Sequence, residues 1–376
     1  MSLETEVSKL VNLCYASMDG CLGELNSQNR SEEHIIPNAI GGRLTSNKLL
    51  CKVCNSAFGD VIDFEIAEQL SLIANLLNIK RDDAKIPRNI RTSKGKYFLR
   101  AGGKPVLAKP EINVTKDDKG MKIHIESSPE KANKTLKGVQ RKYGLPDSFI
   151  SDAWSNSRKS ATYLDEGVDV EFSLGGLEAF RSICKTAINF YIDKGGSRDA
   201  ILHLLPYLKG DCDARRTFYF YPSCDIIKKT DSEILHSIIV TGDVEAGILY
   251  AYVEYFNYYK CLVVLNEQYR GESICESYFY DVLECVEVKR DFEISLTKRE
   301  VLSMINATLP PYDEIKSEYF KVHVLALNKI TYDTIGKIVD ETFTKYPKGE
   351  IITLEMLEEL RGNLLPFIVS RMRGAD

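Results

Sequence analysis

The chain has 376 residues, of which 44% are hydrophobic and 27% charged, and a net charge of −5. That length exceeds one small core and predicts two or three domains of ordinary globular composition. No run of about 18 apolar residues occurs, which excludes a membrane-spanning helix. The first nine residues carry Glu4 and Glu6 and no apolar stretch, so a secretory signal is not expected. The ten cysteines are then read as reduced thiols of a cytoplasmic protein.

The charge is unevenly spread. Residues 1–79 hold 5 basic and 10 acidic side chains, residues 80–147 hold 18 and 8, and residues 148–376 hold 26 and 36. The overall sign argues against a uniformly basic surface. The middle segment, with a balance of about +10, is the kind of local surface that phosphate binding requires.

In chain order, residues 5–15 read as a short amphipathic helix, followed by a polar loop over 19–32 and a compact apolar and glycine-rich stretch over 35–42. A helix is predicted from near Cys51 to about Leu77, with Phe58, Ile62, Ile66, Leu70 and Ile73 on one buried face. Residues 80–95 are basic and turn-rich, with Pro87, and read as a linker or a nucleic-acid-facing arm. Strands are predicted at 96–100 and 122–126, with Asp117-Asp118-Lys119-Gly120 as a turn. Residues 129–144 form a two-faced helix. Ala132, Leu136, Val139 and Tyr143 are apolar, and Lys131, Lys134, Lys137 and Arg141 lie opposite, as a solvated face or a phosphate-contact surface.

Further along, residues 177–192 read as a strongly apolar helix and 200–208 as a shorter one. Strand-like runs follow at 217–221, 237–240, 248–256 and 259–265. The tail over 296–372 is predicted mostly helical, with Leu354, Leu357, Leu360 and Leu364 on one face that suits a core or an interface. Residues 150–376 thus read as an α+β region with a buried aromatic sheet.

The informative segment is Ser31-Glu32-Glu33-His34-Ile35-Ile36-Pro37-Asn38-Ala39-Ile40-Gly41-Gly42, then Asn47, then Cys51-Lys52-Val53-Cys54-Asn55. Phosphodiester hydrolysis needs an activated water, a stabiliser of developing charge and a protonated leaving oxygen. A neutral histidine suits the first need and a divalent cation the other two. Glu33 and Asn55 offer oxygen ligands that suit Mg²⁺ or Mn²⁺. Cys51 and Cys54 are a metal or redox candidate pair. Asp63 reads as a supporting group for the site or as a helix-surface carboxylate. The remaining histidines, His124, His203, His236 and His323, read as satisfied structural residues.

These residues, in this order and spacing, resemble the zinc-bearing branch of the HNH endonucleases, also called His-Me finger or ββα-metal nucleases, over about residues 10–75. The resemblance implies an N-terminal ββα-metal module in an overall α+β chain, followed by a larger mixed α+β accessory domain. In it His34 is the general base, Asn47 orients the histidine loop, and Glu33 and Asn55 hold the catalytic Mg²⁺ or Mn²⁺. Cys51 and Cys54 bind a structural Zn²⁺. Cys14 and Cys21 are the expected second pair, although their C-x₆-C spacing departs from the family's C-x-x-C.

The expected arrangement is a nuclease domain over 1–79, a basic DNA-facing segment over 80–148, and an accessory domain over 149–376 for assembly, sensing or target recognition. The expected activity is hydrolysis of DNA by a defence or restriction-type effector, gated by its C-terminal domain, by a regulatory ligand or partner protein, or by homo-oligomerisation. Arg43 and Lys52 join Lys134, Lys137 and Arg141 as expected nucleic-acid contacts. The competing reading is a zinc-stapled module that binds nucleic acid without cutting it.

Overall fold

The structure is a computed structural model that describes residues 13–82, 89–118, 120–158, 167–169, 174–306 and 310–373. The helix expected over 5–15 falls almost wholly outside the described residues, as does the middle of the basic 80–95 segment.

The first two strands have two residues each, β1 (Glu33–His34) and β2 (Thr45–Ser46), and pair antiparallel with His34 opposite Thr45. The helix expected from Cys51 onward is a broken rod. It consists of α1 (Lys52–Phe58), a π-turn at Gly59–Asp63, α2 (Phe64–Gln69) and α3 (Ser71–Leu76). The face read from its spacing is buried throughout, at Phe58, Ile62, Ile66, Leu70 and Ile73. The π-turn adds a residue to one turn and so re-aims α2 relative to α1, a device frequent at functional sites.

Strands β3 (Ile90–Arg91), β4 (Tyr97–Arg100) and β5 (Lys104–Leu107) make a small sheet, and β6 (Glu111–Asp117) pairs with β7 (Gly120–Glu126). Helix α4 (Pro129–Tyr143) starts with Pro129 in its first turn and stops at Gly144, whose φ of 62° ends the helix without a Cβ penalty. It buries Leu136 and Val139. A short helix, α5 (Phe149–Ser155), comes next.

Helix α6 (Leu177–Asp193) is buried on nearly every side. The helix expected over 200–208 is instead two 3₁₀ turns and one short helix, α7 (Leu205–Lys209), started by Pro206 in its first turn and ended at Gly210. Then come β8 (Thr217–Tyr219), β9 (Leu235–Asp243), β10 (Ile248–Tyr255), β11 (Tyr259–Asn266), β12 (Ile274–Asp281) and β13 (Val286–Val288). They form one antiparallel sheet in the order β13-β12-β9-β10-β11-β8. The tail is helical as expected, with α8 (Lys298–Ser303), α9 (Tyr312–Phe343) and α10 (Leu354–Arg373). No helix among the described residues is long and apolar enough to cross a membrane.

The elements fall into two compact units that interleave along the chain. One comprises residues 1–87 and 172–328, the other 88–171 and 329–376. The division of the sequence at 79 and 148 follows charge and texture, whereas these units follow contacts. In the first unit α6 is the central element. One side lies on the six-stranded sheet, where the Thr186 hydroxyl meets the Tyr255 hydroxyl at 2.8 Å and Thr217 Oγ1 donates to the Phe180 carbonyl at 2.9 Å. Its other side packs against the π-turn and α2. The chain is thus of mixed α and β structure, and its motif-bearing N-terminal part is packed onto a helix from much later in the sequence.

Candidate active site and metal centre

The four cysteines meet. The sulfurs of Cys14, Cys21, Cys51 and Cys54 all lie within 4.8 Å of one another, with Cys51 and Cys21 3.7 Å apart. Tetrahedral zinc with bonds of about 2.3 Å holds its sulfurs about 3.8 Å apart, so the donor set fits structural zinc. Backbone N–H groups point at three of the sulfurs. Cys51 N donates to Cys14, Gly23 N to Cys21, and Cys54 N to Cys51, which caps α1. Burial raises the Cys14 and Cys54 thiols. At Cys51 burial is outweighed by the Cys54 N–H and the neighbouring thiols, which lower it. The unusual C-x₆-C spacing is accommodated because Leu13 and Glu24 form a bridge and Cys14 N donates to the Gly23 carbonyl at 2.7 Å, closing the longer loop as a hairpin.

Behind β1 the chain turns sharply. Pro37 precedes a 3₁₀ turn over Asn38–Ile40 that ends at Gly41, with φ of 93°. At Gly42 the constraint is space, because a Cβ would lie 1.9 Å from the Ile36 carbonyl oxygen. The turn is fastened from outside by Arg81, which donates to the Ala39 carbonyl, and by His236 of β9, whose Nε2 donates to the Ile40 carbonyl at 2.8 Å.

Glu33, His34, Pro37, Asn38, Asn55, Gly59 and Asp63 line one cleft of about 280 Å³. The sequence-predicted Glu33, His34 and Asn55 are therefore brought together, and Asp63 with them. His34 is half-buried, and its Nε2 lies 2.8 Å from Asp82. A carboxylate oxygen accepts, so Nε2 carries the proton and Nδ1 is left as the basic nitrogen. Burial of the ring, aided by the Arg43 and Lys185 cations, holds His34 below the ordinary histidine range against the Glu33 and Glu32 carboxylates. Asp82 also pairs with Arg43.

Glu33 is only 2% exposed. Its Oε1 meets Lys185 Nζ at 2.5 Å and accepts from Asn189 Nδ2 at 3.1 Å. Lys185 also reaches Asp63 Oδ2 at 2.5 Å, and the Ser182 hydroxyl donates to Asp63 Oδ1 at 2.7 Å. Asp63 is thus a supporting group rather than a free surface carboxylate. Burial and the Asp63 carboxylate push the Glu33 carboxyl up, against Lys185 and Asn189. Burial disfavours the Lys185 ammonium, but the Asp63 and Glu33 carboxylates lift it above the ordinary lysine range. Asn55 Nδ2 donates to Ser31 Oγ at 2.6 Å. Each expected cation ligand thus has one atom tied, and Glu33 Oε2 and Asn55 Oδ1 take no hydrogen bond from another described residue. Two such oxygens on one cleft fit a hard divalent cation.

Asn47 stands apart. It is exposed just after β2 and makes no side-chain hydrogen bond among the described residues, so the expected tie to the histidine loop is not formed here. Of the expected nucleic-acid contacts, Arg43 is engaged by Asp82, and Lys52 donates to the Gln28 carbonyl. Lys134, Lys137 and Arg141 are exposed on one face of α4, beside Asn133, which accepts from the indole N–H of the exposed Trp154.

The sequence reading missed Ser182, Lys185 and Asn189. Their signal was present. In an apolar helix these polar residues recur three and four positions apart, which puts them on one stripe.

Searches among curated proteins and among solved structures return no match to this chain. A scan of protein families does: residues 20–71, which hold the cleft's motif and three of the four cysteines, match the model described as HNH endonuclease.

Proposed function

We propose that the chain is a metal-dependent endonuclease that hydrolyses DNA phosphodiester bonds. The observation that carries this reading is the convergence of Glu33, His34 and Asn55 on one cleft within the matched segment. The β1–β2 hairpin followed by α1 supports a ββα-metal arrangement, with His34 on a strand and Asn55 on the helix. Mg²⁺ or Mn²⁺, held by Glu33 and Asn55, would supply charge stabilisation at the phosphate. His34, with Nε2 anchored on Asp82, takes the proton of the attacking water at Nδ1. Its lowered affinity for protons keeps it a neutral base near pH 7.

Exposed Lys134, Lys137 and Arg141 are proposed as phosphate contacts, with Arg43 and Lys52 beside the motif. In the same reading the protein is a restriction- or defence-type effector gated by its C-terminal domain or by oligomerisation.

Plasmid cleavage in Mg²⁺ or Mn²⁺ tests the proposal. His34→Ala should lower the rate by on the order of 10²–10⁴-fold while binding to DNA persists. Equal rates for the two chains, or DNA binding without cleavage by the parent, would favour a zinc-stapled binding module instead.

A further inference from the structure

We infer that Lys185 and Asn189 are positioning residues that present Glu33 as a cation ligand, so that helix α6 is part of the nuclease site. The inference rests on the reading of Glu33 as a cation ligand. A carboxylate on a free side chain rotates, and either oxygen can face the cleft. Here Lys185 and Asn189 both bind Oε1, which fixes that rotation and leaves Oε2 as the single available oxygen.

The two anchors are themselves held. Lys185 is tied to Asp63, which Ser182 also holds, and its ammonium lies 5.8 Å from the Phe58 ring centroid. Asn189 Oδ1 accepts from the buried Tyr15 hydroxyl at 2.8 Å. The chain of contacts Tyr15–Asn189–Glu33–Lys185–Asp63–Ser182 therefore has little freedom, and the π-turn at Gly59–Asp63 delivers Asp63 to it.

A helix-packing role alone does not account for this stripe. A buried ion pair recovers little more than its desolvation cost, and apolar side chains of the same size would pack α6 onto the motif at least as well. What apolar residues would not do is orient a carboxylate. Partners that orient a metal ligand typically change metal affinity by about 10–100-fold when removed.

The test is Mn²⁺ binding to the zinc-loaded full-length protein, followed by the electron paramagnetic resonance signal of free Mn²⁺. Lys185→Met and Asn189→Leu should each weaken Mn²⁺ binding by about 10–100-fold, with zinc content and cooperative melting retained. Lys185→Arg should recover part of the loss. If Lys185→Met fails to fold, Asn189→Leu, which removes no charge, carries the test. Unchanged or tighter binding in the folded variants overturns the inference and leaves these residues a structural role. A parent chain that binds no Mn²⁺ overturns the cation role of Glu33 and the inference with it. Mn²⁺ binding that depends on Lys185 and Asn189 in a chain that cuts no DNA supports the inference and overturns only the nuclease reading.

Discussion

His236 donates from Nε2 to the Ile40 carbonyl and accepts at Nδ1 from the Phe256 N–H, so β9 carries a satisfied imidazole into the turn behind His34. Burial pulls it down to about 4, against the opposing effect of the Ile40 bond. The sign is direct. Above pH 6.5 neither folded nor unfolded chain protonates this group. Between pH 6.5 and about 4 the unfolded chain takes a proton that the folded chain refuses, so stability is lost as pH falls through that window. At about 1.4 kcal/mol per pH unit the loss is on the order of 3 kcal/mol. His236→Gln should lower the melting temperature at pH 7 but reduce its further fall between pH 7 and 4.5. Parallel melting profiles for the two proteins would rule this out. The sequence identified His236 as a satisfied histidine but not the loop it serves, because its partner Ile40 lies 196 positions away. For Lys185 the polar stripe on α6 is visible in the sequence, but its partner Asp63, 122 positions away, is not. Glu33, His34 and Cys51 were legible because their chemistry is written in one short stretch, while the groups that hold them come from α6 and β9.

At the level of elements, the sequence pattern revealed what is long and strongly apolar, on one face or throughout. It found the buried face of α1 to α3 and strands β9 to β11. It missed β12, where Cys275 and Glu276 are exposed side by side and break the pattern, and it could not register β1 and β2, two residues each. Nor does spacing reveal the π-turn at Gly59–Asp63, which packs against α6. Helix α4 is a clearer case. Its spacing separated Leu136 and Val139, which are buried, from Lys134, Lys137 and Arg141, which are exposed. Neither a surface lysine nor an arginine needs phosphate to be stable there, so the contact role has to be measured. Glu at all three positions should weaken DNA binding for every sequence tested. It should also flatten the dependence of log affinity on log salt, by about 0.9 for each phosphate that is no longer neutralised. An unchanged slope would make this face merely solvated.

For the molecule as a whole, the proposed nuclease has one site per chain and would cut one strand, and a net charge of −5 favours DNA binding only where basic surface is concentrated. Two copies would supply both a second site and a second basic α4. The tail has a surface suited to such pairing. The spacing of Leu354, Leu357, Leu360 and Leu364 fitted a core helix or an interface, yet the residues that α10 buries are Met356 and Phe367. Leu354 is 74% exposed, and Leu357, Leu365 and Ile368 are about half exposed, with Ile351 before them at 87%. Apolar side chains grouped this way gain by leaving water, at about 25 cal/mol for each Å² covered. The expected outcome is a dimer by light scattering, converted to monomer by Leu357→Glu with Ile368→Glu. Because neither residue belongs to the unit that holds the cleft, the double variant should still nick plasmid while its yield of linear DNA falls. A parent chain that stays monomeric at high concentration, or a monomeric variant that still linearises plasmid at the parental rate, would separate cleavage from assembly and leave the exposed leucines to another partner.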